Sequence, residues 1–189
     1  MSMSLYDACC EFLDAKRAER YSPHTVRSYV SILDKFLRWM GDVKLKSITA
    51  KHIRAFLGSL HELSDKTVYN HHVCLSSLWT FCTSQGYVSD HVVRAVNPPK
   101  IPQRRIVPFT EAECRRILVA AKNNRDRAIV MVLLDCGIRR SEVCALSISD
   151  WRPGILKIFG KGKKERLVPI SPPTEKAIAS QLEKRKVRP

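Results

Sequence analysis

Hydrophobic positions recur every three to four residues through most of the first half of the chain. In SPHTVRSYVSILDKFLRWM, residues 22–40, Val26, Tyr29, Val30, Leu33, Phe36, Leu37 and Met40 share one face, the spacing of an amphipathic helix. Ser22 is placed to cap this helix, Pro23 takes its first position and Gly41 stops it. A shorter helix is expected before it, over about 4–19. Another follows Thr49, with Ile53, Phe56, Leu57 and Leu60 inward. A fourth starts at the Ser64 cap and carries Val68, His71/His72, Leu75, Leu78, Trp79 and Cys82 before Gly86. A short fifth covers about 89–95.

The pattern breaks at NPPKIPQRRIVPFT, residues 97–110. Prolines 98, 99, 102 and 108 forbid regular helix and keep the backbone extended, which predicts an interdomain linker over 97–108. Beyond it Thr110 and Glu113 fit a capping box that opens a helix to about Lys122. A second helix runs from an Asn124 cap to Cys136. It is apolar on nearly every side, Met131 to Leu134 included, and so is expected to be the core helix of this half. Gly137 closes it, and Ser141–Leu146 forms a further short helix. The period then changes: ILKIF (155–159) and ERLVPI (165–170) read as strands joined by GKGKK, with Pro169 suited to a strand end or edge. Ser171-Pro172-Pro173 opens a last helix with a strongly basic tail. The fold class is therefore mainly α with a small β-hairpin or sheet.

Charge divides the halves more sharply than pattern does. Residues 1–96 hold 12 basic and 9 acidic side chains, and residues 97–189 hold 21 and 9, within a net charge of +15. A folded chain with this asymmetry points to a polyanion, and double-stranded DNA is the first candidate. No apolar run approaches the roughly 20 residues of a membrane span, and the N-terminus lacks a signal pattern, so a cytoplasmic, DNA-associated protein without membrane contact is expected. The seven cysteines lack metal-type spacing and read as reduced, mostly buried thiols, Cys136 and Cys144 among them. His71-His72-x-Cys74 has no second ligand pair nearby and reads as helix-surface histidines. No metal or other cofactor is expected.

Three basic features fall together in the second half. Arg139 and Arg140 follow the Gly137 turn, a hairpin tip carries Lys161, Lys163 and Lys164, and Arg166 begins the return strand. A guanidinium donates two parallel hydrogen bonds to phosphate oxygens and keeps its charge as negative charge builds up. A lysine on a hairpin is a mobile point charge whose proton can reach a leaving oxygen if its pKa falls. Arg139 is tethered to a buried helix, and Glu142 stands three residues on, able to brace its guanidinium.

LLDCGIRRSEVCALSISDW followed by ILKIFGKGKKERLVPI resembles the first active-site box of the tyrosine recombinases, the phage-integrase and Xer family. The helical first half is similar to that family's N-terminal core-binding, SAM-like domain. The resemblance implies a core-binding domain over 1–96, the linker over 97–108 and the first part of an α+β catalytic domain over 109–189. It implies that Arg139 clamps the scissile phosphate, that Glu142 supports the site, and that Lys161 contacts DNA and protonates the leaving 5′-hydroxyl. Lys100, Arg104, Arg105, Arg140, Lys163, Lys164 and Arg166 are then expected to bind DNA.

The family attacks with a tyrosine, needs no cofactor or metal, and works through several protomers on DNA. Here the tyrosines are 6, 21, 29, 69 and 87, all in the first half, and none matches the nucleophile. The expectation is the DNA-binding part of a site-specific recombinase or integrase, truncated before the family's His-x-x-Arg box and catalytically incomplete. The alternative is a stand-alone DNA-binding regulator or decoy of a related recombinase.

Overall fold

A computed structural model describes residues 3–102, 105–160 and 164–186. The chain separates into two compact units, Met1–Arg104 and Arg105–Pro189.

The first unit packs helices α1 (Leu5–Ala18), α2 (Pro23–Met40), α3 (Ala50–Gly58) and α4 (Asp65–Ser84). Their starts are set by side-chain caps: Ser4 accepts from Asp7 N–H, Ser22 from Thr25 N–H and Ser64 from Thr67 N–H. The apolar faces meet in one core that includes Phe12, Leu33, Phe36, Phe56, Leu78 and Trp79. Phe36 sits at its centre, with ring centroids 4.9 Å from Phe56 and 6.3 Å from Trp79, both edge-on. The α2–α3 connection is tied to the start of α1 by Leu5 N–H to Val43 O (2.8 Å) and Leu45 N–H to Met3 O (3.0 Å).

Two expectations change in this unit. The predicted fifth helix is a single 3-10 turn, Val92–Ala95. His71 is buried rather than on the surface, because its Nδ1 lies 2.9 Å from the Thr67 carbonyl of its own helix and needs no water. His72 reaches the Val96 carbonyl at 2.7 Å and helps hold the end of the unit.

The second unit holds α5 (Glu111–Ala120), α6 (Asn124–Cys136), α7 (Arg140–Ala145), α8 (Pro172–Lys186) and an antiparallel sheet. Strands β1 (Trp151–Arg152), β2 (Ile155–Phe159) and β3 (Glu165–Pro169) lie in that order, which leaves β3 at the edge. The Thr110–Glu113 capping box forms as the sequence suggests. The cap of α6 is Asn123, one residue earlier than expected, and α7 starts at Arg140 with Arg139 as its N-cap residue. Strand β1 carries no period of its own and is absent from the sequence-based expectation.

The core of this unit is small: Val132, Ile138, Leu156, Ile158 and Ile170. Helix α6 is the main correction. Only Ala128 and Val132 of it are buried, and Leu134 is exposed. Cys136 is half-buried and Cys144 exposed, where both were expected inside, while Cys9, Cys74 and Cys82 are buried in the first unit. Burial drives all three of those thiols up in pKa, Cys74 and Cys82 to about 12, so they stay protonated and inert. An open groove of about 1560 Å³ runs between α6, α7 and α8 and is lined by Ile129, Val143, Leu146, Trp151 and Ile178. The indole N–H of Trp151 is buried without a partner among the described residues.

Helix α8 is capped from another helix. Asp135, at the end of α6, accepts from Ser171 N–H at 2.7 Å. Partial burial works to raise the Asp135 pKa, but the hydrogen bonds from Ser171 and Thr174 outweigh it and the pKa is lowered. Among the described residues no helix is long and apolar enough to cross a membrane.

Arg20, one residue past the end cap of α1, adopts a left-handed φ of 57°, and Tyr21 N–H closes the helix end on Lys16 O at 3.1 Å. That conformation strains any residue with a Cβ. Arg20→Gly should therefore raise the stability of the first unit by about 1 kcal/mol in urea unfolding; a loss of stability would show that the arginine side chain matters more than its backbone.

Candidate functional site

The site is built on the turn between α6 and α7. Gly137 ends α6 in the left-handed conformation, φ 59°, with its N–H on Leu133 O. Ile138 then turns into the core at 5% exposure. Arg139 follows with extended backbone (φ −73°, ψ 150°), and its side chain is 72% exposed. The apolar anchor on one side and α7 on the other fix the backbone that carries this guanidinium.

The second anchor is Glu142. Its carboxylate is only 5% exposed and accepts four hydrogen bonds. Arg139 donates its backbone N–H to Oε2 (2.8 Å) and a guanidinium N–H to Oε1 (3.2 Å). Arg166 on β3 donates both arms of its fork, 3.0 Å to Oε1 and 2.8 Å to Oε2. The Arg166 fork is the largest influence on the Glu142 carboxyl. With the Arg139 N–H it outweighs desolvation and lowers the pKa to about 2. Arg166 in turn holds its proton more tightly for the same hydrogen bonds.

Of the other expected residues, Lys100, Arg105, Arg140 and Lys164 are described and exposed. Arg140, the first residue of α7, is exposed and lines the groove. Lys164, at the return of the hairpin, is exposed, and its carbonyl accepts from Gly160 N–H at 2.8 Å. Lys100 and Arg105 are exposed, the first in the first unit and the second in the second. Arg104, Lys161 and Lys163 lie outside the described residues. Among the described residues, no group of three His, Cys, Asp or Glu side chains is arranged to hold a metal ion.

The pairing of Arg166 with Glu142 is a feature that sequence reasoning missed, although a signal for it exists. Arg166 alternates with Val168 and Ile170, the inward-facing residues of ERLVPI, so it shares their face of the strand rather than that of Glu165 and Leu167. Gly160 is the second missed residue. A Cβ there would stand 3.1 Å from an Arg166 guanidinium nitrogen and 3.5 Å from Glu142 Oε1.

Comparison with known proteins bears on the whole chain. Residues 108–188 match the model of the phage integrase family, and residues 9–86 match the phage integrase N-terminal SAM-like domain. A tyrosine recombinase of Pseudothermotoga lettingae is 32% identical over 163 residues, covering 80% of this chain and 57% of that protein. Tyrosine recombinase XerC of Thermodesulfovibrio yellowstonii is 31% identical over 176 residues, covering 88% of this chain and 58% of that protein. The chain thus spans less than two thirds of the length of these relatives. Among solved structures, a lambda integrase dimer bound to a COC′ core site is similar with a TM-score of 0.81 at 21% identity, over 95% of this chain and 54% of that one. The XerH recombinase bound to its difH substrate in a pre-cleavage complex is similar with a TM-score of 0.68 at 22% identity, over 92% of this chain and 55% of that one.

The lowered pKa of Glu142 gives a pH signature. Its ordinary value is 4.5 and its folded value about 2, so its contribution to stability is complete above about 4.5 and is lost as the pH falls toward 2. Glu142→Gln should flatten the fall in stability of the second unit between pH 5 and 2, as followed by denaturant unfolding. An unchanged slope in the variant would mean that another carboxylate dominates that window.

Proposed function

The chain belongs to the phage integrase family of tyrosine recombinases, and from that premise we propose that it grips duplex DNA and uses Arg139 to hold the phosphate at which strand exchange takes place. The observation that carries this reading is a solvent-facing guanidinium whose backbone N–H and one arm are both held by a single buried carboxylate. An arginine held this way meets a phosphate with little loss of side-chain freedom, and its charge persists as negative charge builds on the phosphate.

The remaining roles follow the family motif. Lys161 is assigned to the hairpin lysine that approaches the leaving oxygen, and Lys163 and Lys164 to backbone contacts beside it. Lys100, Arg104 and Arg105 supply basic surface along the proline-rich segment, and Arg140 supplies it next to Arg139. Double-stranded DNA and other recombinase protomers are the proposed partners. Similar folds have been solved as a lambda integrase dimer on a core site and a lambda integrase tetramer on a Holliday junction. The tyrosines of these 189 residues are 6, 21, 29, 69 and 87, and none is assigned as the nucleophile. The proposed role of the described residues is to bind and to orient.

Duplex affinity tests this. The logarithm of the association constant should fall linearly with the logarithm of salt, by about 0.9 for each phosphate neutralised, and several phosphates are expected. Arg139→Ala should weaken binding about tenfold, as expected for one charge-assisted contact, while leaving the melting temperature nearly unchanged. Affinity that barely responds to salt would contradict the DNA reading. Unfolding of the Arg139 variant would make that arginine a structural residue instead.

A further inference from the structure

We propose that Arg166 is a positioning residue that keeps Arg139 available for phosphate, and that it is not itself a ligand of DNA; the proposal rests on the phosphate-holding reading of Arg139. The strand register supplies the first observation. Arg166 pairs with Ile158 and Val168 with Leu156, and those two β2 residues are 1% and 2% exposed. Arg166 therefore shares the face of β3 that carries Val168 and Ile170, with its side chain 41% exposed at the rim of that face. Its fork is already committed to both oxygens of Glu142.

The second observation is what that pairing does to Arg139. A carboxylate facing a single arginine frequently takes its fork in a bidentate pair, which cancels the arginine's charge and occupies two of its donors. Glu142 instead faces two arginines. Because Arg166 takes the bidentate position, Arg139 is left with one longer bond, 3.2 Å from a single guanidinium nitrogen, and a side chain 72% in solvent. The group of three carries a net positive charge. Glu142 steadies Arg139, and Arg166 cancels the negative charge that would otherwise repel an incoming phosphate.

A Cβ at Gly160 would crowd this arrangement. The glycine closes the hairpin on Lys164, and the site of its missing Cβ lies 3.1 Å from the Arg166 nitrogen that donates to Glu142 Oε1. The first glycine of GKGKK therefore leaves room for a guanidinium as well as making a turn.

The test measures duplex DNA affinity of the full chain at fixed salt, with the melting temperature followed for each variant. Arg166→Gln should weaken binding about tenfold, because it leaves an uncompensated carboxylate beside Arg139. The double variant Glu142→Gln/Arg166→Gln removes that carboxylate and should recover part of the loss, stopping short of the parent chain because Arg139 is no longer steadied by Glu142. It also guards against a fold defect in the single variant, since it buries no unpaired charge. In an Arg139→Ala background, Arg166→Gln should cost less than about twofold.

A tenfold loss that persists in the double variant, or that repeats at full size in the Arg139→Ala background, would make Arg166 a direct DNA ligand and overturn the proposal. A parent chain that shows no salt-dependent duplex binding would instead overturn the DNA reading, and the positioning role with it.

Discussion

A carboxylate taken out of water has to be matched by donors, and Glu142 is where the second unit meets that demand. Four donors from two arginines converge on its two oxygens. The interaction joins the α6–α7 turn to the edge strand β3, two segments 24 residues apart in sequence. Such a group is expensive to leave half-satisfied, so whatever places one arginine constrains the other. Arg139 and Arg166 are thus coupled through one carboxylate.

The two units differ in how they are held. The first has a continuous apolar core around Phe36 and Trp79 and relies on side-chain caps for its helix boundaries. The second has five buried hydrophobic residues in its core cluster and depends more on polar connections: Glu142 between α7 and β3, Asp135 from α6 to the start of α8, and Asp150 on the Ser147 N–H. Its groove exposes the unburied side of α6, with the unpartnered Trp151 indole among the lining residues. A polar node inside a lightly packed unit fits the proposed role of presenting a few charges to a polyanion.

Helices α2 and α4 of the first unit were legible in the sequence because each has a run of apolar positions at helical spacing and a recognisable cap. Ser22-Pro23 and Ser64 formed as their spacing implies, as did the Thr110–Glu113 pair in the second unit. Arg139 and Glu142 were legible as a pair from their three-residue separation and their place in the family motif. What was not legible depends on partners remote in sequence. Helix α6 is apolar on several sides, yet periodicity says nothing about how many of those sides have something to pack against, and here Leu134 meets solvent. His71 is buried because its own helix satisfies it, which hydropathy cannot signal. Arg166 drew a DNA-binding expectation from its charge and motif, whereas its fork to Glu142 joins residues 24 apart in sequence. Its alternation with Val168 and Ile170 is the signal for that pairing, although the side chain stays 41% exposed.

The guanidinium steadied by Glu142 is proposed to be the group that engages a DNA phosphate. NMR reads this directly through the side-chain N–H resonance of Arg139, assigned through its loss in Arg139→Ala, as duplex DNA is added to the full chain. This signal should shift progressively and saturate with the binding curve, while the Arg166 signal, already held by Glu142, should move little. Saturating DNA binding that leaves the Arg139 signal in place would contradict it.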